Sequence, residues 1–211
     1  MGLEKREDFT TFASIIADGT IRVKTGEGNP DAVKREYKTS SGEEGVKYEL
    51  VYNNLKGIIK SIEFRDGDYG QQMLIVVDGV TLAVNTDSAW GRDIMSKLPL
   101  VDLTKEVNFV PYSFEDKGGK NRKGVSVYQV DENGDPLKLG NFFYDEETKE
   151  TNKFDYPQVP KEFKEMKKDD WKIYYLTVKN FLVDYIETNI APQLAGGIDV
   201  DNVDFGDTKE E

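Results

Sequence analysis

The stretch that decides the fold is Gln71–Val84, "QQMLIVVDGVTLAV". Its first seven residues are almost continuously apolar, as in a strand buried on both faces. Asp78-Gly79 then separates them from a second β-compatible run, and an Asp-Gly between two such runs predicts a tight hairpin. Upstream, "YELVYNNLKGIIKSIEF" (48–64) reads as one long strand with Gly57 marking a bend or bulge, and "DGDYG" (66–70) is the turn that joins it to the hairpin. Downstream, Ser88 is placed to N-cap a short helix through "AWGRDIMSKL" (89–98), with Pro99 just beyond its end. "KEVNFVPYSF" (105–114) predicts a fourth strand, in which Pro111 marks an edge or a bulge, and "GVSVYQV" (124–130) a fifth.

The flanks are less regular. Phe9–Ile16 and Thr20–Thr25 surround Asp18-Gly19 and predict an N-terminal hairpin. The polar stretch "EGNPDAVKREYKTSSGEEG" (27–45) reads as a loop that holds at most a helical turn. After strand five, "DENGDP" (131–136) turns the chain into "LKLGNFFY" (137–144), a possible further hairpin strand, followed by a charged connection over 145–163. Trp171, Tyr174, Val178, Phe181, Tyr185 and Ile186 then recur on one face of an amphipathic helix, whose acidic start at Asp169-Asp170 suits the helix dipole. Its aromatic face either covers the β-domain or pairs with another subunit. From Asp199 the chain holds six acids and one Lys, too few apolar residues to offset the entropy of ordering, so a mobile tail is expected.

Composition removes several functions. The chain has 211 residues, a formal net charge of -12, and neither Cys nor His, which excludes disulfides, thiolate or imidazole zinc sites and Ser-His or Cys-His catalytic pairs. No run approaches the roughly 20 apolar residues that span a bilayer, and the charged start "MGLEKREDF" has no apolar leader region. The expectation is a cytoplasmic protein that does not contact membranes. Acid pairs such as Asp66-Asp68, Asp131-Glu132 and Asp145-Glu146-Glu147 fall in predicted turns, and there is no phosphate-loop motif. No enzyme activity and no cofactor or metal are expected, with a carboxylate-based metal enzyme as the weakest competitor.

Against that acidity, "EDKGGKNRKG" (115–124) places four cations and three glycines between strands four and five. Lys117, Lys120, Arg122 and Lys123 suit a phosphate chain, and the glycines permit close backbone approach; the plain alternative is a solvated hairpin tip. Tyr69, Tyr112, Phe114 and Tyr128 are candidate stacking platforms beside it, with Trp90 a further one, although aromatic strand residues are also common core residues. Lys56, Lys60 and Arg65 on the first strand extend the positive track.

The order of three strands, a helix and two strands resembles the OB-fold, whose strand two–three face and first and last hairpin loops hold oligonucleotides. With the tail added, the chain resembles phage and bacterial single-stranded DNA-binding proteins, on the strand pattern from Leu55 to Val130 and the terminus "DVDNVDFGDTKEE". It departs from that pattern in having six residues after Phe205. The resemblance implies a mainly β chain: an N-terminal β-extension (1–47), an OB-fold-like five-stranded barrel (48–154), a linker with one long C-terminal helix (155–196) and an acidic tail (197–211). It further implies largely sequence-independent binding of single-stranded DNA in replication or recombination. Asp199, Asp201, Asp204, Phe205 and Asp207 would recruit replication or recombination proteins, and a homo-oligomer could form through the helix. The competing expectation is a structural or adaptor protein of a virion or assembly, with no nucleic-acid binding.

Overall fold

The computed structural model describes residues 11–38, 42–67, 70–151, 153–160 and 163–194. The Asp78-Gly79 hairpin forms as expected: β7 (Gly70–Val77) and β8 (Val80–Asn85) pair antiparallel, and Met73, Ile75 and Val77 are fully buried. Ser88 caps α1 (Ala89–Lys97) by accepting from the Gly91 N–H at 2.9 Å, and Ile94, Met95 and Leu98 lie inside the core.

The N-terminal hairpin of β1 (Thr11–Ile15) and β2 (Ile21–Thr25) also forms, with Ala13 opposite Val23. Gly19 at its tip has φ +81, and a Cβ there would lie 2.5 Å from the Ser113 backbone nitrogen. The turn therefore presses on backbone that no side chain could approach.

Two expectations change. Residues expected as a polar loop form β3 (Val33–Lys38), paired with β4 (Glu44–Tyr52). β3 has no buried residue and β4 has one, so no apolar alternation announced this hairpin. Their anchor is Glu49, 6% exposed, which accepts two 2.9 Å bonds from the Arg35 guanidinium. Such a bidentate pair supplies the directional attraction that burial does not. The long strand expected over 48–64 is in fact three: β4, β5 (Leu55–Gly57) and β6 (Ile59–Gly67).

The chain thus changes sheet at Gly57–Ile58. β6 joins the order β3-β4-β2-β1-β8-β7-β6, while β5 joins the order β11-β10-β9-β5 with β9 (Val107–Glu115), β10 (Asn121–Val130) and β11 (Pro136–Leu139). β11 pairs with β10 as the possible extra hairpin required. Pro111 lies on β9 beyond the last residue paired with β5, Phe109, where no partner strand asks for its missing N–H.

Among the described residues, the pairing does not close a five-stranded barrel. β8 bonds in parallel to β1, and the β10 edge beside Val125 is met by α1 rather than by β8. Lys97 donates to Asp93 at 2.8 Å and to the Val125 carbonyl at 2.6 Å, and Asp93 accepts the Val125 N–H at 2.6 Å. Covering an exposed edge with a helix satisfies its backbone groups as a neighbouring strand would.

Core side chains from both sheets meet α1, Phe143 and α2 (Lys168–Asn189). The C-terminal half of α2 buries Val178, Leu182, Val183 and Ile186, while Tyr174, Phe181 and Tyr185 are partly buried against the core. Phe143 lies 5.1 Å from the rings of both Tyr156 and Tyr185, tying the 141–156 segment to the helix. The helix therefore covers the β-domain. Among the described residues, no helix is long and apolar enough to cross a membrane.

Candidate nucleic-acid interface

Antiparallel register decides which side chains share a face, because directly opposed residues point the same way. In the four-stranded sheet, Phe109 opposes Val127 and Pro111 opposes Val125; all four are buried, and Phe109, Val125 and Val127 belong to the core. The alternate rows face water: Phe114 opposes Arg122, Tyr112 opposes Gly124, and Asn108 lies between Tyr128 on one side and Lys56 on the other. Lys138 opposes Tyr128 on β11 and continues the row.

This outer face carries an open cleft of ≈ 480 Å³ lined by Tyr112, Phe114, Asp116, Arg122, Ser126 and Lys138. Phe114 is 54% exposed, and its ring lies 5.7 Å from that of Tyr112. Gly124 makes the second ring possible, since a Cβ there would collide with the Tyr112 ring and the Asp93 carboxylate. Burial, and then the nearby Asp93 charge, push the Tyr112 phenol above its ordinary value, so it stays a neutral hydrogen-bonding group.

The basic turn is built by Asp116. Its carboxylate accepts from the N–H groups of Gly118 (2.9 Å) and Lys120 (3.0 Å) and from Arg122 Nε (2.8 Å). The Lys120 backbone bond, the Arg122 bond and the Gly118 bond hold it below the usual carboxylate range. Lys117 and Lys120 are exposed at the tip.

The expected cations do not converge. Arg122 and Lys123 belong to β10 rather than to a loop, so they point to opposite sides. Lys123 lies 5.0 Å from the centroid of Trp90, whose Nε1 donates to the Tyr112 carbonyl at 3.1 Å; Trp90 packs on the core. Lys56 pairs with Glu106 at 2.9 Å. Lys60 and Arg65 stand on β6 in the other sheet, with Lys60 3.7 Å from Asp78. Tyr69 and the tail residues Asp199, Asp201, Asp204, Phe205 and Asp207 lie outside the described residues.

Sequence reasoning missed Ser126 and Lys138. The hairpin carrying Lys138 was legible, but its position opposite Tyr128 is a matter of register. The turn acids are engaged locally: Asp131 accepts from the N–H of Asn133 (2.8 Å) and Asp135 (2.9 Å), and Asp145 from those of Glu147 (2.8 Å) and Thr148 (3.0 Å). No group of three acids able to hold a metal occurs among the described residues.

No family model, curated protein or solved structure matches this chain.

Proposed function

We propose that the chain binds single-stranded DNA without reading its sequence and does no chemistry on it. The observation that carries this is the outer face of β5, β9, β10 and β11, where Tyr112, Phe114 and Tyr128 stand among Lys56, Arg122 and Lys138. Aromatic rings accept any base by stacking and cations neutralise phosphates, so the combination suits a strand of any sequence. A second support is the strand circuit: β8, β7, the bent β6–β5 strand, β9 and β10 follow one another as in an OB-fold, short of the closing pair. On this reading the protein acts in replication or recombination in the cytoplasm, with the residues from Asp199 onward recruiting partner proteins.

Titration of the full chain with oligo(dT), followed by tyrosine and tryptophan emission, tests the reading. Quenching that weakens steeply with salt is expected; no binding at low salt overturns it. Replacing Tyr112 or Tyr128 by Ala should weaken binding by about 5- to 150-fold, the equivalent of ~1–3 kcal/mol for one stacked base.

One observation favours an assembly role instead. Ile173 is 66% exposed and Leu176 51% exposed on the N-terminal half of α2. That role requires self-association without DNA, which sedimentation detects and which Ile173→Glu would abolish.

A further inference from the structure

The outer face of the four-stranded sheet offers a bound strand two routes. One crosses the sheet from β5 to β11 along the register line Lys56, Asn108, Tyr128 and Lys138. The other runs along the β9–β10 hairpin, past Tyr128, Ser126, Tyr112, Phe114 and Arg122 to its tip. Among the described residues, the cleft is lined from β9, β10, β11 and the Asp116 turn, and not from β5, so its length follows the hairpin. At the β5 end of the crossing route, Lys56 lies 2.9 Å from Glu106 and already shares its charge with an acid.

We infer that the strand lies lengthwise along the β9–β10 hairpin, from Tyr128 to the cations of its tip, an inference that rests on the DNA reading above and fixes how that face is used. The distal hairpin stands clear of the core, with Phe114, Glu115 and residues 117–123 exposed. Its tip is ordered in advance. The Asp116 N–H donates to the Lys120 carbonyl and the Gly119 N–H to the Asp116 carbonyl, each at 2.9 Å, in addition to the bonds to the Asp116 carboxylate. Lys117 and Lys120 are therefore presented without the entropy of ordering a loop on binding. The acids of the hairpin do not oppose this route: Glu115 opposes Asn121 in a row that alternates with Phe114–Arg122 and so faces away, and Asp116 is occupied by Arg122 and two backbone N–H groups.

The rings also set a spacing. Tyr112 and Phe114 lie 5.7 Å apart, well beyond the ~3.4 Å rise of a stacked strand, so successive bases must separate, one to each ring. From Tyr128 to Lys120 the hairpin extends about 27 Å, which at that spacing holds about five nucleotides. The crossing route, three strand-to-strand steps or about 14 Å, would hold about three.

Anisotropy titrations of labelled oligo(dT) of increasing length with the full chain test the placement. Affinity should climb until the oligonucleotide reaches about five nucleotides and rise only slowly beyond. Lys117→Ala/Lys120→Ala should lower the slope of log affinity against log salt by about 1.4, at about 0.7 for each phosphate contact, while Lys56→Ala should leave it unchanged. A slope that falls with Lys56→Ala but not with the tip double variant, or an affinity that levels off at three nucleotides, overturns the lengthwise placement and leaves the DNA reading standing. No binding of any oligonucleotide overturns the DNA reading, and the placement with it.

Discussion

If the outer face of the four-stranded sheet holds DNA, the salt dependence of binding should resolve the cations by face. Each phosphate neutralised on a single strand contributes about 0.7 to the slope of log affinity against log salt. Lys138 lines the cleft, so Lys138→Ala should lower the slope by about 0.7. Arg122 also lines it but already shares its charge with Asp116 at 2.8 Å, so Arg122→Ala should lower it by less. Lys123 is the neighbour of Arg122 in sequence and lies over Trp90 on the other side of the strand, so Lys123→Ala should leave the slope unchanged. The assay is fluorescence anisotropy of a labelled oligo(dT) at salt concentrations from about 50 to 200 mM, a range over which phosphate contacts weaken binding strongly. A loss with Lys123→Ala equal to that with Lys138→Ala would show that the strand does not follow this face. No loss with either Lys138→Ala or Arg122→Ala would remove the cleft as the phosphate site.

Three further outcomes test the framework that holds this face. Lys97→Met removes the bond to the Val125 carbonyl by which an ammonium only 11% exposed fastens α1 to β10, and with it the ion pair to Asp93 within α1, and urea unfolding should show a loss of about 2–3 kcal/mol, part of it recovered when Asp93→Leu is added. Gly19→Ala combines a positive φ with a backbone collision at Ser113, so a loss of about 1–3 kcal/mol is expected by the same measurement; an unchanged midpoint would mean that the hairpin tip does not seat on β9. Burial pushes the Tyr156 phenol up to about 12, above the ordinary value near 10 that it has when unfolded. Its contribution to stability is therefore complete below about pH 10 and is lost as pH rises toward 12, and ultraviolet titration should find one phenol ionising late, a signal absent in Tyr156→Phe.

Much of the chain was legible where local chemistry and burial agree. Asp78-Gly79, Asp18-Gly19 and the Ser88 cap each impose geometry on a few adjacent residues, and each feature formed where it was read. β3 and the start of β4 were missed because an edge strand with so few buried side chains carries no apolar period; the stabilising contact, Arg35 with Glu49, is a polar pair that such a period does not announce. The candidate site divides along the same line. Tyr112, Phe114, Arg122 and Tyr128 were found by residue type, since rings and cations beside a strand are visible in a string of letters.

What the sequence by itself determined is the two hairpins at Asp18-Gly19 and Asp78-Gly79, the strands at 105–114 and 124–130, the two helices and the acidic, cysteine-free and histidine-free chemistry. Only the tertiary structure decided that the 48–64 run divides between two sheets, that α1 rather than β8 meets the β10 edge, and which cations stand together. The physical reason is the two-residue period of a strand. One step in register moves a side chain to the opposite face, so Arg122 and Lys123, adjacent in sequence, are separated by the sheet, while Lys138 comes to lie beside Tyr128 through pairing alone.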